Sequence, residues 1–327
     1  MWTRRQRQMC IRDRNNILIQ LILKRLFTYI PVLLVVVIIT FLMIHAAPGG
    51  PFDAERVASP EIIEKLNEAY NLDKPIHVQI YNYLFNAIQG DFGPSFKYPG
   101  RTVTELIMSG LPTTIELAIY SILFAIFLGV ISGLVASLNP GKILDIVPMS
   151  ISLLGICIPS IILGPVLVLI FGIWYEVLPV YGWGDNPGDK ILPTITLGTA
   201  YAAIFARLTR GGMLEILGQD YIRTARAKGL SEIRIVIVHA LRGGILPVIS
   251  FLGPAIAGLL AGSFVVETIF QINGVGRFYV QAAFNRDYTM ILGTSILFTF
   301  MTLTFVLISD IVASFLNPTL RDSGGLE

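Results

Sequence analysis

Six apolar stretches separated by polar, turn-rich segments set the plan of the chain. They cover residues 26–47, 113–138, 146–171, 191 to about 205, 245–266 and 290–316. A helix needs about 20 mostly apolar residues to cross a bilayer core. All but the fourth meet that length, and the fourth gives way to Arg207 and Arg210. The pattern predicts an all-α membrane protein with about six transmembrane helices. Gly129 with Gly133, and Gly258 with Gly262, are small-xxx-small pairs that permit close helix approach. The third stretch carries Pro148, Pro159 and Pro165, which predict kinks and a helix shaped around a cavity or a moving part.

Charge between the stretches orients them. Lys24 and Arg25 precede the first. The segment between the fourth and fifth carries Arg207, Arg210, Arg223, Arg226, Lys228, Arg234 and Arg242 against Glu215, Asp220 and Glu232. Basic loops stay in the cytoplasm, so both termini are expected there. Residues 48–110 hold eight acidic and five basic residues and form an outer cap. Ser59, Pro60 and Glu61 start a helix in this cap that Asn71 can end, and a second helical piece runs over 75–88. Trp174, Tyr175, Tyr181 and Trp183 fit an aromatic belt at the outer interface.

Composition agrees. Of 327 residues, 54% are hydrophobic and 14% charged, against about 25% charged in soluble domains. A net charge of +2 gives no reason to expect nucleic acid. Residues 1–14 lack periodicity, and Met9 to Arg14 resembles the translation of a sequencing adapter. Residues 1–18 are therefore expected to be a non-native or disordered segment.

No catalytic or metal set emerges. His45, His77 and His239 fall at the outer end of the first span, in the outer loop and in the inner loop. Cys10 and Cys157 are isolated. Gly141-Lys142 is not a phosphate loop, because Ala136 stands where the first glycine is needed, and no strand precedes Gly274-Val-Gly276. The chain is expected to be no enzyme and to bind no cofactor. Glu116 and Glu267 fall near outer span ends, where water reaches them, and Asp310 lies in the inner half of the sixth span, suited to pairing or packing. An ion-driven carrier would want ionisable groups across the midplane.

The segment 220–247 stands out. Tyr221 to Lys228 reads as a short helix, Gly229 as its left-handed stop, and Ser231 as the cap of a second helix with Glu232 in its first turn. Ile233, Ile235, Val236, Ile237 and Val238 are too apolar for a free loop and call for cover by the membrane domain or a partner.

The run Tyr221-Ile-Arg-Thr-Ala-Arg-Ala-Lys-Gly-Leu230, with His239-Ala-Leu-Arg242 and Leu246-Pro247, resembles the inner-loop motif of type I ABC importer permeases of the peptide branch. Ala47 to Phe52, Gly90 to Tyr98 and Asn285 to Tyr288 look like the B-type subunit of oligopeptide permeases. Asn273 and Asn317 depart from the prolines and aspartates common there. The resemblance implies a type I permease fold in a bacterial inner membrane: first helix 19–47, periplasmic cap 48–110, core 111–316 with coupling loop 211–244, and cytoplasmic tail 317–327. It implies ATPase-coupling roles for Tyr221, Arg223, Thr224, Ala225, Arg226, Ala227, Lys228, Gly229, His239 and Pro247. Pro159, Gly129, Gly133, Gly258, Gly262 and Asp310 become candidates for pathway or helix packing. The implied partners are a homologous C-type permease, two ATP-binding cassette ATPases holding ATP and Mg, an extracytoplasmic peptide-binding protein, the peptide and the bilayer. A dipeptide, nickel or other small-solute permease of the same branch is the near alternative, and an ion-driven secondary transporter the distant one.

Overall fold

A computed structural model describes residues 4–46, 74–98 and 100–316. The described residues are mostly helical. Helix α1 is Arg4–Ala46, α2 Ile76–Ile88 and α3 Val103–Ser137. Helix α4 is Ile143–Cys157 and α5 Ser160–Leu167, the latter running on as a π-helical turn to Trp174. Next come α6 Ile191–Leu217 and α7 Asp220–Ala227. Helix α8 is composite: Glu232–Arg234, a π-helical turn Ile235–Ala240, then Leu241–Gly244. Helices α9 Leu246–Ile269, α10 Val275–Asn285 and α11 Tyr288–Leu316 complete the set. Among the described residues, five helices are long and apolar enough to cross a membrane, six when α4 and α5 count as one broken span.

The spans match the apolar stretches, with informative differences. Helix α3 has 35 residues, about 50 Å at 1.5 Å per residue, which exceeds the ~30 Å hydrocarbon core. Its first turns therefore extend beyond the apolar stretch, and there Val103, Leu106 and Ile107 are buried within the first unit and not in the span. Helix α6 likewise continues past Arg207 and Arg210 to Leu217, so the first residues of the 211–244 loop are helical. Helix α1 extends back to Arg4, through the segment expected to be non-native or disordered. Arg and Gln are good helix formers. The cap helix expected to start at Ser59 lies outside the described residues.

Of the three prolines in the third span, Pro159 marks the break. Ring crowding pushes the residue before a proline out of helical space, and Ile158 is extended at φ −87°, ψ 111°. Helices α4 and α5 meet there at 107°. Pro148 and Pro165 are accommodated inside their helices.

The chain divides into two compact units, Met1–Pro112 with Gly274–Leu303 and Thr113–Asn273 with Thr304–Glu327. In the first, Val103, Leu106, Ile107, Val275, Ala282 and Met290 form a buried core. Helix α10 contributes two of these, although it lies between the fifth and sixth apolar stretches and belongs to neither. It starts where Gly110 allows close approach: a Cβ there would lie 2.9 Å from the Gly274 carbonyl carbon and the Val275 nitrogen. Asp287 is buried and caps α11 by accepting from the Met290 N–H at 3.2 Å. It also accepts from the Ser95 hydroxyl, the Lys97 N–H and the Thr289 hydroxyl. The segments 90–98 and 285–288 thus meet on one carboxylate.

In the second unit, glycines set the helix spacing. A Cβ at Gly129 would lie 2.6 Å from the Ala202 carbonyl, and one at Gly133 would overlap that of Ala206, so α3 and α6 touch backbone to backbone. Gly258 faces the Tyr201 ring and hydroxyl, whereas nothing among the described residues lies within 4 Å of a Cβ at Gly262. The second small-xxx-small pair therefore packs through one member only. Asp310 is half-buried on α11. Glu267, expected near water, is fully buried and accepts from the Thr114 hydroxyl at 2.9 Å. Glu267 lies in the last turn of α9, and what shields it is the neighbouring α3, which brings Thr114 against its carboxylate. Glu116 remains partly exposed, paired with Lys190 at 2.6 Å and the Trp183 indole N–H at 2.8 Å.

Candidate coupling surface

Helix α7 begins at Asp220, which places an acid at the positive helix end. Its C-terminus is a complete Schellman motif. The Leu230 N–H donates to the Ala225 carbonyl at 3.3 Å, and the Gly229 N–H to that of Arg226 at 2.9 Å. Gly229 takes φ +77°, the left-handed conformation read from the sequence. Nothing among the described residues lies within 4 Å of a Cβ placed there, so within this chain it is backbone conformation that selects glycine.

Ile222 and Ala225 form the inner face of α7. They are buried against Met213 of α6 and Ile235, Val236 and Ala240 of α8, with Leu134, Ile216, Leu217, Leu230 and Leu241 packed around them. The outer face presents Tyr221, Arg223, Thr224, Arg226, Ala227 and Lys228 to solvent. Arg226 reaches over the Gly229 turn to grip Glu232 with two hydrogen bonds, at 2.9 and 3.2 Å. The hydrogen bonds to the Glu232 carboxylate raise the guanidinium pKa above its ordinary value. The Arg223–Asp220 pair is fully exposed, and such pairs contribute little.

The predicted coupling residues therefore divide. Ala225 is buried and shapes the helix from behind. His239 is half-buried, and its carbonyl accepts from the Tyr221 hydroxyl at 3.3 Å. Pro247 sits in the first turn of α9, 3.3 Å from a Cβ placed on Gly212, away from the exposed face. Of the apolar α8 residues, Ile235 and Val236 are buried, whereas Ile233, Ile237 and Val238 are 56–73% exposed.

Three positions escaped sequence reasoning. Gly212 on α6 abuts the Gly244 carbonyl, Gly244 abuts Met213, and a Cβ on Gly243 would lie 2.9 Å from the Ile216 side chain. These glycines bring both ends of the 211–244 segment into backbone contact. The adjacent Gly243 and Gly244 were the available signal. Sequence reasoning also left unpaired the ion pair of Arg210 with Asp145, whose Nε–Oδ1 and N–Oδ2 distances are 2.6 and 2.8 Å. The Gly141 N–H also donates to Asp145 at 2.9 Å. This pair ties α4 to α6 at the inner end.

The sequence matches the family described as binding-protein-dependent transport system inner membrane component over residues 125–322, and the N-terminal component of such systems over 18–118. It is 43% identical over 305 residues to the oligopeptide transport system permease protein OppB of Haemophilus influenzae, covering 93% of this chain and all of the relative. It is 38% identical to the dipeptide transport system permease protein DppB of Bacillus subtilis, over 91% of this chain and 97% of the relative. Among solved structures, a chain of the inward-facing MetNI methionine ABC transporter matches 65% of this chain and 96% of its own. The TM-score is 0.55 and the identity 18%. These matches, with the helical plan above, place the chain in the binding-protein-dependent transport system inner membrane component family, the multi-pass permeases of type I ABC importers.

Proposed function

We propose that this chain is one of two permease subunits of an ATP-driven oligopeptide importer, and that α7 is where ATPase movement enters it. One observation carries the reading: a short helix anchored by its apolar face against α6 and α8, capped at Gly229, with a cationic and aromatic outer face left open. Such a surface fits a groove on a partner. ATP and Mg would be held by two ATPase subunits, a C-type permease would complete the pathway, and an extracytoplasmic binding protein would deliver the peptide. Closure of the ATPase pair would then move α6 and α9 as rigid bodies. The oligopeptide reading follows the similarity to the Haemophilus influenzae OppB, and the similarity to the Bacillus subtilis DppB keeps dipeptides as a second reading.

The test is reconstitution with all four partner subunits in proteoliposomes, scoring uptake of labelled tripeptides to pentapeptides. Uptake should require ATP, and Tyr221→Ala combined with Arg223→Glu should abolish peptide-stimulated ATP hydrolysis without affecting membrane insertion. Uptake by this chain alone, driven by a proton gradient, would overturn the proposal. Transport restricted to dipeptides would favour the second reading.

A further inference from the structure

Where α4 and α6 approach the cytoplasmic side they frame a groove of about 610 Å³, lined by Asp145, Ile146, Met149, Ser150, Leu153, Arg207, Arg210 and Gly211. Asp145 and Arg210 neutralise each other through two hydrogen bonds. Arg207 is exposed and makes no ion pair among the described residues, so the groove keeps one net positive charge. The charged ends of Asp145 and Arg210 meet at the mouth of the groove, and the order of the other residues along each helix follows from helix rise. Arg207 lies one turn deeper than Arg210, about 4.5 Å, and Leu153 about 12 Å deeper than Asp145. The groove is therefore amphiphilic along the membrane normal. Its charged mouth lies at the inner boundary, and its wall of Met149 and Leu153 leads toward the bilayer core.

A soluble anion would use only the mouth, and an apolar helix would leave Arg207 without a partner. A molecule with an anionic head and a hydrocarbon tail satisfies both parts, and the cytoplasmic leaflet supplies one. We propose that this groove seats one anionic phospholipid, with its phosphate on Arg207 and an acyl chain along Met149 and Leu153. The inference rests on the chain's being a membrane permease and is independent of its cargo.

The test uses the assembled transporter, purified in detergent and titrated with phosphatidylglycerol or phosphatidylcholine under native mass spectrometry. The wild type and Arg207→Lys should retain one phosphatidylglycerol more tightly than phosphatidylcholine. Arg207→Gln should weaken that retention about tenfold, as loss of one charged contact implies. Equal retention in Arg207→Gln would overturn the proposal and leave Arg207 a topology signal. Displacement of the lipid by millimolar inorganic phosphate would assign the mouth to a free anion instead. A tryptophan introduced as Leu153→Trp should be quenched by brominated phosphatidylglycerol. If it is not quenched in the assembled transporter, a protein surface covers the groove and the proposal fails.

Discussion

Gly229 gives the sharpest quantitative expectation, because space and backbone conformation can be separated there. Nothing among the described residues lies within 4 Å of a Cβ at this position, so a side chain meets no clash there. The cost of replacement is the left-handed conformation at φ +77°, about 1–2 kcal/mol for a residue with a Cβ. That corresponds to an approximately 5- to 30-fold fall in the population holding the Schellman turn. Asparagine visits this conformation more readily, and a β-branched residue least of all. Peptide-stimulated ATP hydrolysis in the reconstituted transporter should therefore fall in the order Gly, Asn, Ala, Val. Gly229→Asp should be worse than Gly229→Asn, because its carboxylate also enters the cationic outer face beside Lys228. The control is permease assembly, measured by co-purification of the C-type subunit, which should be constant across the series. Alanine as active as glycine, or asparagine poorer than alanine, would refute the argument from backbone conformation.

Three further outcomes follow. Gly133→Val should prevent recovery of folded permease from detergent, because its Cβ overlaps the Ala206 carbonyl, whereas Gly262→Ala, in open space, should leave yield and uptake unchanged. Asp287→Ala removes the acceptor of four donors in a buried site and should cost about 3 kcal/mol, read as a lowered midpoint in thermal unfolding, with Asp287→Asn intermediate. Deletion of residues 1–14 should leave ATP-driven uptake at the wild-type level, and loss of uptake would refute the reading of that segment as non-native.

The spans were legible because bilayer thickness writes itself into runs of apolar residues, and the Gly229 turn because only glycine adopts its conformation freely. Helix α10 was not legible. It is short, and only one side is buried, at Val275, Gly276 and Ala282, so its pattern resembles a loop between turn residues. The burial of Glu267 was hidden because its cover comes from Thr114, more than 150 positions away. The same holds for Asp145 and Arg210, 65 positions apart, whose pairing no local pattern encodes. In the coupling segment, the sequence grouped Ala225 and Pro247 with the exposed residues. Only the packing against Met213 and Gly212 separates the exposed face of α7 from the residues that support it from behind.

The contact between Gly212 and Gly244 has a mechanical consequence. It closes the intervening chain into a knob on a narrow neck, and the neck joins the bases of α6 and α9. A force applied to the knob cannot bend one of these helices alone; it is delivered to both as a torque. The knob's orientation then depends on the phase of the last turn of α6. One residue inserted there would swing it by about 100° about the helix axis, leaving every side chain of the outer face intact and aimed in the wrong direction.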